Sequence, residues 1–158
     1  MARVLIIYKS KTGNTEKMAL AVEEGLKQEG VEVTKKRIEV VQVDDLLGYD
    51  GIIIGTPTYF AAMAAEIKKL VDESIKVFGK LEGKVGAAFA TSGDLGGGAE
   101  TALLDILRSF LVHGMIVPGS TSGGHYGPIS VGAPNEERME TCRKFGSRIG
   151  KWVTRLQQ

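Results

Sequence analysis

The sequence predicts an α/β protein: a doubly wound, open parallel sheet of five strands with helices on both faces. Short apolar runs rich in branched side chains recur along the chain, as strands covered on both faces require. Each is followed by a segment with apolar residues every three or four positions. Alternating strand and helix patterns build parallel sheets, because a parallel connection needs a long crossover. A further observation places a ligand site. The first apolar run ends in Ser10-Lys11-Thr12-Gly13-Asn14-Thr15, a hydroxyl-rich turn leading into a helical pattern.

Val4-Leu5-Ile6-Ile7-Tyr8 is the centre of the first strand, which spans residues 3–8. Met18, Val22 and Leu26, with Ala19 beside them, define the buried face of a helix that starts near Glu16 and stops at Gly30. Residues 31–41 alternate loosely around Lys35-Lys36-Arg37. They belong at a sheet edge, with the basic run as a solvated margin. Asp44–Leu47 is a short helical turn, and Gly51–Gly55 is a third strand buried on both faces. Pro57 pushes Thr56 out of helical geometry, so Thr56–Phe60 is a loop. A helix returns from Ala61, with Ile67, Leu70, Val71, Ile75 and Phe78 on its core face and Gly79 at its end.

Gly83–Thr91 is a fourth strand made of small residues, followed by a glycine-rich loop, Ser92–Gly98. Leu103, Leu104, Ile106, Leu107, Phe110 and Leu111 mark a strongly apolar helix ending near His113-Gly114. Met115-Ile116-Val117 is the expected fifth strand, interrupted by the irregular piece Pro118–Pro128. Asn135 caps a last helix with Glu136 and Glu137 in its first turn, where the dipole favours acids. Its core face is Met139, Cys142, Phe145, Ile149, Trp152 or Val153, and Leu156. No linker or repeat divides residues 1–158, and 158 residues suffice for one well-filled core, so a single domain is expected.

Twenty basic against 19 acidic residues leave a formal charge of +1, with no basic run beyond Lys35-Lys36-Arg37. That balance offers no field for nucleic acid or an anionic membrane surface. No apolar run approaches the roughly 20 residues that span a bilayer. The single cysteine, Cys142, excludes an internal disulfide and suits a reducing compartment, and the strand pattern begins directly after Met1-Ala2. A cytoplasmic protein is expected. No His, Cys or Asp cluster has metal-ligand spacing.

A helix N-terminus has unpaired amides and the positive end of a dipole, so the Ser10–Thr15 turn is an anion cradle with neutral donors around Gly13. In an open parallel sheet the ligand lies beyond the carboxyl ends of the strands. Three loops leave those ends: Lys9–Thr15, Thr56–Ala62 with Tyr59 and Phe60, and Thr91–Gly98 with its glycines. A flat polar heterocycle carrying one phosphate would use all three. The chain lacks Gly-x4-Gly-Lys-Ser/Thr, lacks Gly-x-Gly-x-x-Gly after the first strand, has no acid ending the third strand and no cysteine in the first loop. These absences disfavour P-loop, dinucleotide, receiver and low-molecular-weight phosphatase readings.

Ser10-x-Thr12-Gly13-Asn14-Thr15 after a first strand resembles the flavodoxin phosphate-binding signature. The resemblance implies a flavodoxin-like fold with strand order 2-1-3-4-5 and FMN as cofactor. Gly55-Thr56-Pro57-Thr58-Tyr59-Phe60 with Met63 is similar to the second loop of the WrbA family of NAD(P)H:quinone oxidoreductases. So are Gly96-Gly97-Gly98-x-Glu100, His113-Gly114-Met115-x-Val117-Pro118 and Gly123-Gly124-His125-Tyr126-Gly127, although the insertions of that family are missing here. Carried over by position, Ser10, Lys11, Thr12, Gly13, Asn14 and Thr15 would hold the phosphate. Thr56, Pro57, Thr58, Tyr59 and Phe60 would line the flavin ring. Thr91, Ser92, Gly93, Gly96, Gly97 and Gly98 would meet its pyrimidine side, with His125 and Tyr126 near the substrate side. His113 fits either a site role or the C-terminal dipole of its helix. Functions in view are an FMN electron carrier serving a redox partner protein, a small NAD(P)H:quinone oxidoreductase, and a binding module without redox turnover. A homo-oligomer is left open.

Overall fold

The computed structural model describes residues 1–158. Its elements are β1 (Arg3–Tyr8), α1 (Asn14–Gln28), β2 (Glu32–Arg37), β3 (Gly51–Pro57), α2 (Ala65–Glu73), β4 (Val85–Ser92), α3 (Ala99–Val112), β5 (Ile129–Val131) and α4 (Glu136–Leu156). Short 3₁₀ turns occupy Ile38–Val40, Val43–Gly48 and Ser74–Val77. The strands form one parallel sheet in the order β2-β1-β3-β4-β5, as expected. β2 lies at an edge, where its charged residues are partly solvated.

Strand side chains alternate between two apolar layers, as a period of two requires. Val4, Ile6, Tyr8, Ile53, Ala87 and Phe89 face α1 and α4, packing on Met18, Val22, Leu26, Phe145 and Ile149. Leu5, Ile7, Ile52, Ile54, Ala88 and Ala90 face α2 and α3, packing on Ile67, Leu70, Leu103, Ile106 and Phe110. Helices therefore cover both faces. The crossovers leave three loops at the carboxyl edge of the sheet: after β1, after β3 and after β4.

Three expectations need correction. The helix after β3 starts at Ala65 and not at Ala61, because Tyr59 and Ala62 exchange backbone hydrogen bonds at 3.1 and 3.0 Å. Between them Phe60 and Ala61 take left-handed φ values of 49° and 63°, the geometry of a tight primed turn. That helix then tightens into a 3₁₀ turn at Ser74. The change of pitch buries Val77 and leaves Ile75 and Phe78 exposed, so the expected core face fails there. The fifth strand is split. Ile116 makes one parallel bridge to Val85, and the true strand forms at Ile129–Val131 against Ala90–Ser92.

At the C-terminus Val153 is buried and Trp152 partly exposed, which settles the alternative left by the helical pattern, and Leu156, expected on the core face, is partly exposed in the last turn. Asn135 does cap α4, its Oδ1 accepting the Arg138 amide at 2.8 Å.

Candidate functional site

The first loop is built around Ser10, which is buried beneath the turn. Its Oγ accepts the amides of Gly13 at 3.2 Å and Glu16 at 3.3 Å, so both lone pairs are used and its O–H remains to donate. Gly13 caps α1 at φ 95°, where a side chain would be strained. The amides of Lys11, Thr12, Asn14 and Thr15 have no acceptor in the chain. This is an anion nest made of backbone donors at a helix N-terminus. Lys11 stands free beside it, whereas Lys9 is engaged by Glu39 at 2.6 Å and Glu66 at 3.2 Å. The hydrogen bond from Lys9 to Glu39 chiefly holds that ammonium above the ordinary lysine range.

Thr15 and Thr91 share a buried hydroxyl–hydroxyl bond of 2.9 Å, which ties the first loop to the third. Thr56 is buried and spent on the second loop: its Oγ donates to the Pro57 carbonyl and accepts the Ala64 amide. Thr58 has a buried Oγ with no partner. A cleft of about 220 Å³ joins the loops, lined by Lys11, Thr12, Asn14, Thr15, Pro57, Thr58, Tyr59, Thr91, Ser92, Gly93 and Gly132.

Most of the residues singled out from the sequence are thus brought to one place. Gly96, Gly97 and Gly98 do not line the cleft. Gly98 instead lets the third loop pack on the second, since a Cβ there would lie 2.5 Å from that of Ala61. Thr101 reinforces this contact by donating to the Ala61 carbonyl at 2.6 Å. Phe60 points fully into solvent on its left-handed turn. His125 and Tyr126 are exposed in the irregular segment, the His125 Nδ1 lying 2.9 Å from the Ser120 carbonyl, and neither lines the cleft. His113 is far from the cradle in the topology: it follows the C-terminus of α3, at the amino edge of β4, buried against Ser74. Gly132 was not foreseen. It enters the cleft because β5 is the strand that reaches the carboxyl edge, which the apolar run at residues 115–117 conceals.

The residues fit a phosphorylated heterocycle. Unpaired amides wait for an anion at one end, and an orphaned buried hydroxyl, Thr58 Oγ, waits for a polar edge at the other. Between them Tyr59 offers a half-exposed ring and Thr91–Gly93 a stretch of backbone. Such a site at the carboxyl edge of a 2-1-3-4-5 sheet has the arrangement of mononucleotide-binding α/β proteins.

Comparison with known proteins gives the family. The model of the flavodoxin domain matches residues 5–101. A flavodoxin of Clostridium saccharobutylicum is 41% identical over 98% of this chain and 99% of its own. An NAD(P)H dehydrogenase (quinone) of Archaeoglobus fulgidus is 33% identical over 99% of this chain and 100% of its own. Among solved structures, a flavodoxin, WrbA-like protein from Agrobacterium tumefaciens superimposes with a TM-score of 0.86 at 27% identity, covering 98% of this chain and 99% of that one. The chain belongs to the flavodoxin family. It is a flavoprotein whose cofactor is FMN and whose chemistry is electron transfer. No helix is long and apolar enough to cross a membrane.

Proposed function

We propose that the cleft between Lys11–Thr15, Pro57–Tyr59 and Thr91–Gly93 holds the FMN, and that the protein carries electrons to a partner protein. The observation that supports this most is the convergence of four free amides and one orphaned hydroxyl on the same cleft. The Lys11, Thr12, Asn14 and Thr15 amides, the Ser10, Thr12 and Thr15 hydroxyls and the Lys11 ammonium would take the phosphate. Tyr59 would cover the flavin ring, and Thr58 with the Thr91–Gly93 backbone would meet its polar edge. When bound, FMN supplies the redox chemistry.

The chain's own part is to bind, orient and shield. The Thr15–Thr91 bond fixes the spacing between the phosphate end and the ring end. No carboxylate, histidine or cysteine lines the cleft, so the protein brings no group there that exchanges protons near neutral pH. That favours a carrier over an enzyme with its own acid–base machinery.

A second reading, a small NAD(P)H:quinone oxidoreductase, is favoured by the 33% identity to a quinone dehydrogenase along the whole chain. One set of measurements separates them. Steady oxidation of NADH or NADPH with a benzoquinone indicates the enzyme. Two separate one-electron steps in a potentiometric titration, without such turnover, indicate the carrier. Replacing Thr12 and Thr15 together by alanine is expected to weaken FMN binding by about 1–3 kcal/mol per lost partner. Unchanged affinity would overturn the assignment of the phosphate end.

A further inference from the structure

Arg37 ends β2 and stands opposite Tyr8 in the register with β1, beside the phosphate turn. Its Nη2 donates to the backbone carbonyl of Ser10 at 2.6 Å. The guanidinium lies over the Tyr8 ring, 5.6 Å from the centroid. Tyr8 in turn donates its hydroxyl to Glu16 Oε1, in the first turn of α1, at 2.7 Å. The carboxylates of Glu16 and Glu39 stand 3.8 and 3.6 Å from Arg37 nitrogens, beyond good hydrogen-bond distance. The short bond that Arg37 makes is therefore to the loop and not to an acid. Ser10 is gripped on both sides, its carbonyl by Arg37 and its hydroxyl oxygen by two amides.

We propose that Arg37 is a positioning residue for the phosphate-binding turn. By holding the Ser10 peptide it sets the direction of the amides that follow, and its charge adds to the field at that end of the cleft. The proposal rests on the reading that the turn takes the FMN phosphate. Its consequence is selectivity for FMN over riboflavin, which differ only in that phosphate. The planar guanidinium both stacks on Tyr8 and reaches the carbonyl, a combination that an ammonium does not reproduce.

The test compares FMN and riboflavin binding to the flavin-free full chain, by fluorescence quenching, in wild type, Arg37→Ala and Arg37→Lys. Thermal unfolding of each verifies folding. Arg37→Ala is expected to weaken FMN binding about tenfold, the order of one charge-assisted hydrogen bond, and to leave riboflavin within about twofold. Arg37→Lys is expected to recover only part of the loss. Unchanged FMN affinity, or equal weakening for both flavins, overturns the proposal. Full rescue by lysine also overturns it, because a point charge would then suffice. A wild type that binds FMN and riboflavin equally overturns the phosphate reading itself, a result distinct from the others.

Discussion

Two of the three buried side-chain polar atoms without partners behave in opposite ways. Thr58 lines the cleft, so the cost of its unpaired Oγ falls on the flavin-free protein and would be recovered by a ligand that meets it. Thr58→Val keeps the shape and removes the hydroxyl. It is expected to leave the flavin-free protein as stable as wild type, or more so, while FMN binding weakens by about 1–3 kcal/mol. Chemical denaturation with and without FMN checks both halves. His113 Nδ1 lies away from the cleft, at the C-terminus of α3. Ser74 donates its hydroxyl to the Val71 carbonyl, so His113 Nε2 must donate to Ser74 Oγ at 2.7 Å, and Nδ1 is left bare. Burial holds the His113 pKa below its ordinary value near 6.5. The unfolded chain therefore binds more protons than the folded one as pH drops through about 6.5. Stability is full above that pH and is lost below it, by at most about 1.4 kcal/mol per pH unit, until the lower folded pKa is reached. His113→Gln is expected to remove this slope from denaturation midpoints taken between about pH 7.5 and 5. An unchanged slope would assign the pH dependence elsewhere.

Helix α1 meets α4 backbone to backbone. A Cβ on Gly25 would lie 2.0 Å from the Arg143 carbonyl oxygen, and one on Gly146 would lie 2.2 Å from that of Val22. Gly146→Ala is expected to destabilise the fold by about 1–3 kcal/mol through overpacking. Gly48→Ala, where the new methyl meets nothing within 4 Å, should be near neutral. Equal urea midpoints for the two variants would disprove the close approach. Elements defined by local pattern were legible from the sequence: the apolar runs of β1, β3 and β4, the turn at Ser10–Thr15 and the α4 cap. What escaped depends on distant partners or on a change of pitch. The exposure of Ile75 and Phe78 follows from the 3₁₀ turn at Ser74, which shifts the helical phase in a way an i, i+4 count does not register. Arg37 looks like the end of a solvated run, and only the register that sets it opposite Tyr8 reveals its hold on Ser10. Gly132 was hidden because β5 reaches the site twelve residues beyond Val117, the end of the apolar run expected as the fifth strand, with Ile129 as its first residue.

At the scale of the molecule, the layer between α1 and α4 holds a reporter of global integrity. Cys142 is fully buried between α4 and α1, and burial pushes its thiol up to about 12. A thiol reagent is therefore expected to react at a rate set by opening of the whole fold, slowed about a hundredfold by FMN at a hundredfold excess over Kd, where binding adds about 2.7 kcal/mol. Rapid labelling of the native protein would show that α4 detaches on its own. The divided fifth strand bears on a different property. Residues 117–128 leave the sheet after Ile116 and rejoin it at Ile129, and each side is bonded to β4 separately. Because register is pinned twice, a longer or shorter excursion slides neither piece. That margin is a splice point, whose length is expected to change without moving the carboxyl edge of the sheet.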